Sequence, residues 1–309
     1  MIPGKNGIYI RKLVTPRLGD IIEIPKFAKG DQDHPEDKSL NCDWIALEFM
    51  NGLVKANALD SGTMKKTGHP EWFNINKLLK YSKSPGVKVF LVINLVGSDP
   101  AKEAKIFLSR VAKLTDRSSI GGVIVHINGT YKKRSVKSTI QYLEAIKSCG
   151  LDIGFWGDES VPANLLNEFI KRASFVMGNV TWKLKERPNT GLVNSYLFWD
   201  KLNVKNYIPV VTLYSSGTYK FKAKAVDEYF ASLLGTDITA NMWYCWDPEK
   251  KYGGGLESNM DVRSTLFRSV WTREISKTGK GVETTTPDEL TIQEKMDILW
   301  QDYLDRNNT

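Results

Sequence analysis

Between residues 7 and 275 a short apolar run, a polar loop and an amphipathic helix follow one another again and again. This repetition constrains the fold more than any other feature of the chain. The apolar runs lie at 7–13, 43–49, 87–95, 121–127, 152–156, 175–181, 208–214 and 240–246. Most are apolar almost throughout, as expected of parallel strands covered on both faces rather than of strands with one face in water. Helical spacing marks the segments between them: 19–28, 74–82, 101–114, 136–147, 162–173, 192–202, 224–234 and 262–272. Ala104, Phe107, Leu108 and Val111 share one helical face in the third of these. Val136, Ile140, Leu143 and Ile146 share one in the fourth, with Ser135 placed to cap it.

Eight strands alternating with eight helices over about 270 residues predict an α/β fold, a (β/α)8 TIM barrel. A doubly wound open sheet is the competing arrangement. No GxGxxG and no GxxxxGK[ST] follows any strand, which removes the main support for a nucleotide-binding sheet and favours the barrel.

Composition narrows the class further. Of 309 residues, 41% are hydrophobic and 25% charged, the balance of a globular chain with a sizeable core. The longest apolar run, 89–96, is too short for a bilayer, which needs about 20 residues, so no membrane partner is expected. Met1 is not followed by the apolar stretch of a secretory signal; synthesis in the cytoplasm is the expectation, with later incorporation into a virion or extracellular particle. Cys42, Cys149 and Cys245 are far apart, with no CxxC pair, which argues against a disulfide framework and a zinc site. No HExxH or clustered His/Asp spacing suggests a metal, and no cofactor is expected. The net charge is +8, but the lysines are scattered over many helices rather than set in one stripe. Nucleic acid is therefore disfavoured as a partner, and acidic polymers such as cell-wall glycans fit the charge better.

The chain divides into a barrel over 1–275, a linker over 276–289 and a helix over 290–309. The linker, SKTGKGVETTTPDE, lacks apolar periodicity. Thr291-Ile-Gln-Glu294 then forms a capping box that opens a helix running to Leu304, with Ile292, Met296, Leu299 and Tyr303 on one face. It either folds back on the barrel or is a tethered helix that docks a protein partner.

In a barrel, the loops that carry chemistry gather at the C-terminal ends of the strands. Those ends hold Glu48; Asn94 to Asp99; His126 and Asn128; Trp156, Asp158 and Glu159; Asn179 and Trp182; Tyr214 and Tyr219; and Trp243, Trp246 and Asp247. Aromatic faces beside Asn and Asp suit sugar rings, whose C–H faces stack while their hydroxyls hydrogen-bond. About half of these aromatics are expected at the mouth. His126, Asn128, Trp156, Trp182, Tyr214 and Trp246 are the candidate ligand-binding residues.

GIYIRKL, DWIALEF, FVMGNVTW and MWYCWD, in that order and spacing, resemble the barrel of lysozyme-type glycoside hydrolases, most closely the family-25 muramidases and their phage-associated relatives. The resemblance spans about residues 7–272. It implies a (β/α)8 barrel acting on peptidoglycan, with an Asp-x-Glu at the end of the fourth strand. His126-Ile127-Asn128 stand at the matching positions. Glycosidic cleavage ordinarily needs two carboxyl groups, about 5–5.5 Å apart for retention or about 6.5–9.5 Å for inversion. Asn128 cannot donate a proton, and His126 is a poor stabiliser of an oxocarbenium ion. The expectation is a pseudoenzyme: a catalytically silent, carbohydrate-binding barrel serving as a structural component of a phage or virion-like assembly. The alternative is an active glycan hydrolase using Glu48 with Asp158, Glu159 or Asp247. Glu48 has a simpler role open to it as well, an ion pair with a nearby lysine.

Overall fold

In the computed structural model, eight parallel strands close into a barrel in chain order, and β8 pairs back onto β1. The structure describes residues 3, 6–10, 42–51, 71–95, 99–127, 136–180, 188–212, 229, 238 and 240–244. The strands are β1 (Asn6–Ile10), β2 (Trp44–Asn51), β3 (Lys88–Asn94), β4 (Ile120–His126), β5 (Ile153–Trp156), β6 (Phe175–Val180), β7 (Tyr207–Thr212) and β8 (Asn241–Tyr244). The described helices are α1 (Glu71–Lys83), α2 (Pro100–Ala112), α3 (Val136–Lys147), α4 (Ala163–Arg172) and α5 (Pro188–Asp200). This is a (β/α)8 barrel, and the open-sheet alternative is excluded by closure. The helix candidates 19–28 and 262–272, the linker and the C-terminal helix lie outside the described residues, as does all of 224–234 except Tyr229.

Why the strands read as continuous apolar runs is plain from their two faces. One set of side chains (Ile45, Leu47, Leu91, Ile93, Val123, Val125, Phe155) turns outward to meet Leu78, Leu79, Phe107, Leu143, Ile146 and Phe169 of the helices. The alternate set fills the lumen: Trp44 and Ala46, Phe90 and Val92, Ile124, Phe175 and Met177, Ile208 and Val210, Met242. Both faces are dry, so neither can be polar.

The lower lumen is packed by large rings against missing side chains. Trp44 meets Phe90 edge-on at 5.5 Å between centroids, and Phe90 meets Phe175 at 5.7 Å. A Cβ on Gly7 would overlap the Trp44 ring, and one on Gly154 would overlap the Phe175 ring. Glycine at these two positions is the space that the rings occupy.

The helices depart from their predicted faces in instructive ways. In α2, Ala104, Phe107 and Val111 are buried as expected, but Leu108 is 36% exposed. In α3 the buried residues are Thr139, Tyr142, Leu143 and Ile146, while Val136 and Ile140 are only partly covered. Helix α5 begins at Pro188, four residues before the first apolar residue that marked it in the sequence. Proline is tolerated in a first turn because its missing N–H has no intrahelical partner there. Asp99 caps α2, its Oδ1 accepting from Lys102 N–H at 3.0 Å. No helix among the described residues is long and apolar enough to cross a membrane.

Candidate functional site

Alternation along the strands also decides what reaches the mouth. Two residues beyond Ala46, Val92, Ile124, Met177 and Met242, the next lumen positions are Glu48, Asn94, His126, Asn179 and Tyr244. Trp156 holds the corresponding place on β5. The apolar lumen thus ends in a layer whose members are polar or aromatic. Strand register sets Asn94 beside His126 and His126 beside Trp156 on adjacent strands.

These groups are bonded to one another. His126 Nδ1 lies 2.6 Å from Asn94 Oδ1. The imidazole stacks on Trp156, centroids 4.0 Å apart and planes 22° from parallel. Trp156 Nε1–H donates to Asn179 Oδ1 at 2.9 Å. Tyr9 meets Trp156 edge-on at 5.6 Å and lies against Tyr244 at 4.7 Å. Its hydroxyl donates to Glu48 Oε2 at 2.8 Å. Tyr9 and Trp156 are buried, whereas Glu48, His126, Asn179 and Tyr244 keep part of their surface open.

His126 carries little charge here. Burial pushes its pKa down from 6.5 to about 4, although the nearby carboxylates of Glu48 and Asp158 pull the other way. Desolvation disfavours the imidazolium more than those charges favour it. At neutral pH the end of β4 is therefore an uncharged ring.

The sequence candidates fare unequally. Glu48, His126 and Trp156 are brought together at the mouth. Trp156, however, is not an open stacking platform: His126 covers one face and its N–H is spent on Asn179. Asp158 is held in a turn, its Oδ1 accepting from both the N–H and the hydroxyl of Ser160. Glu159 is exposed. Trp243 faces away from the lumen and packs on Tyr229 in the outer layer, centroids 5.5 Å apart. Asn128, Trp182, Tyr214, Tyr219, Trp246 and Asp247 lie outside the described residues. Tyr9 and Tyr244 were missed by the sequence reading, and Asn94 and Asn179 appeared there without a role. Counting in twos from the lumen residues would have found them all.

No protein-family model matches the chain, and no curated protein matches it in sequence. Solved structures do match its fold. A GH5_18 protein from Streptomyces cattleya, in complex with GlcNAc, superposes with a TM-score of 0.59 at 9% identity, covering 94% of this chain and 83% of that one. A GH113 beta-1,4-mannanase gives 0.57 at 9% identity, over 88% of this chain and 99% of that one. The endo-1,4-beta-D-mannanase of Thermotoga petrophila gives 0.54 at 10% identity, over 87% and 99%. At such identities the likeness is one of fold alone, and the fold is a (β/α)8 barrel.

Proposed function

We propose that this barrel holds a glycan at its mouth without cleaving it. The observation that carries the reading is the end of β4. There the polypeptide presents His126, uncharged and stacked on Trp156, where the muramidase-like resemblance implies the first of two carboxylates. A neutral imidazole next to two asparagines and two tyrosines supplies hydrogen bonds and ring faces, which is what holding a sugar requires. It does not supply the acid and stabilising anion that glycosidic cleavage requires. Barrels of like fold that include a beta-1,4-mannanase and a protein in complex with GlcNAc support sugar as the ligand class. The resemblance to phage-associated muramidases favours cell-wall polysaccharide and a place in a virion-like particle. Residues 290–309, an acidic amphipathic segment behind a polar linker, would supply the attachment to a protein partner.

A second reading keeps one observation in its favour. Glu48 is a carboxylate at the mouth, oriented by Tyr9 and close enough to His126 for its charge to be felt there. An active hydrolase would pair it with Asp158, Glu159 or Asp247. Of these, Asp158 is engaged by Ser160, and Glu159 is exposed. A panel of chromogenic glycosides separates the readings: the binder turns over none, and turnover that Glu48→Gln abolishes would establish the hydrolase.

A further inference from the structure

We propose that Asn94 is a positioning residue that locks His126 in one tautomer, so that the mouth meets its ligand through the bare Nε2 lone pair, an uncharged acceptor for a sugar hydroxyl. This deepens the glycan-binding reading and rests on it.

The lock follows from atom chemistry. An amide oxygen only accepts, so Asn94 Oδ1 at 2.6 Å requires the hydrogen to sit on Nδ1. In a neutral ring the other nitrogen, Nε2, is then bare. A half-turn of the ring about Cβ–Cγ would set Cδ2, not Nε2, against Asn94 and forfeit the hydrogen bond, while the stack on Trp156, itself pinned by Asn179, holds the ring plane. Asn94 is 8% exposed, so water competes poorly for its oxygen. Among the described residues, Asn94 is the one hydrogen-bond partner of the His126 ring, and the side chain keeps part of its surface open. Three adjacent strands thus hold the ring at the mouth with Nε2 left out of the lock.

Charge supports the assignment. The ring stays neutral down to about pH 4, against the pull of Glu48 on β2 and Asp158 after β5. The phenols of Tyr9 and Tyr244, on β1 and β8, are the other titratable groups packed about Trp156. A bare imidazole nitrogen accepts from a hydroxyl but meets the oxygens of an ether or a carboxylate as lone pair against lone pair. A site built to pair with a hydroxyl discriminates strongly against an analogue that lacks it. The ligand class is therefore a glycan with a free hydroxyl directed at the end of β4, as distinct from one methylated or acidic at that place.

Two measurements on the full chain test this. The first needs no ligand: long-range 15N–1H correlation spectra of histidine-labelled protein, with the His126 signals assigned by their loss in His126→Gln. The expected result is a protonated Nδ1 and a bare Nε2 from pH 5 to 8. Asn94→Asp keeps the lock, since a carboxylate accepts the same hydrogen bond, but its charge raises the pH at which the ring protonates. Asn94→Leu gives mixed tautomers. A protonated Nε2 in the unaltered chain overturns the proposal. The second measures binding of mannotetraose and N-acetylchitotetraose by calorimetry, with thermal melts reporting that each variant is folded. Affinity is expected to fall at least about tenfold in His126→Gln and Asn94→Leu. In Asn94→Asp it should fall as the pH is lowered through the raised protonation point, which a merely structural role would not produce. Binding that His126→Gln leaves unchanged overturns the acceptor role. If neither oligosaccharide binds while the tautomer is locked, the glycan reading fails and the acceptor role with it, but the lock stands.

Discussion

The lower and upper ends of the barrel lumen are built by the same strands under the same alternation, yet they hold opposite chemistries. Below, Trp44, Phe90 and Phe175 meet edge to face, fully buried, in the room left by Gly7 and Gly154. Above, three rings are each tied to a polar group: His126 to Asn94, Trp156 to Asn179, Tyr9 to Glu48. The lower rings contribute stability by excluding water. The upper groups give up part of that stability, because burying polar atoms is favourable only when each one finds a partner. The polar layer lies at the end of the lumen where the proposed glycan would be held.

The contrast is most open to breaking at the floor. Phe90→Ala removes a ring buried between Trp44 and Phe175 and should cost about 3–5 kcal/mol by chemical denaturation. A cost near 1 kcal/mol would mean that the lower lumen is not packed as described.

At the mouth the largest effect is one of pH. The folded-state pKa of His126 lies near 4, below its ordinary 6.5, so between those values the unfolded chain binds the proton more readily. Its contribution is therefore complete above about pH 6.5 and is lost as the pH falls toward 4. The two values bound the effect at about 3 kcal/mol. His126→Gln, which cannot protonate, should flatten this part of the stability–pH curve. An unaltered curve would show that His126 is not buried in its neutral form.

A smaller effect is expected at Tyr9. Tyr9→Phe keeps the ring contacts with Trp156 and Tyr244 and removes only the hydrogen bond to Glu48, a loss of about 1–2 kcal/mol. The melting temperature should fall less than for Phe90→Ala, sharpening the distinction between a mouth held by single hydrogen bonds and a floor held by packing.

The two ends also differed in how far they could be read from the residues alone. Apolar runs at regular spacing suffice for parallel strands buried on both faces, and the absence of a nucleotide-binding glycine loop favours a barrel over an open sheet. Those runs are why β2 to β8 emerged within two residues of their predicted limits. The remaining strand, β1, is described only as far as Ile10. The helix faces were less legible where a polar atom is buried: Thr139 and Tyr142 lie inside α3 although neither is a simple hydrophobe. At the mouth, His126, Trp156 and Glu48 stood out as residue types. Asn94 and Asn179 did not, because their importance lies in which ring atom each one holds, and that depends on pairing between strands far apart in sequence. Trp243 is among the aromatics expected to pack away from the mouth, and it does so for the converse reason. It sits one residue from the lumen position Met242, and a shift of one along a strand reverses the face.

Co-sedimentation with insoluble peptidoglycan, with the supernatant assayed for reducing ends, tests the central claim most directly. The account predicts that the chain is retained on the polymer, that His126→Gln weakens retention, and that no reducing ends appear. Reducing ends that vanish in Glu48→Gln, or a chain left wholly in the supernatant, would contradict it.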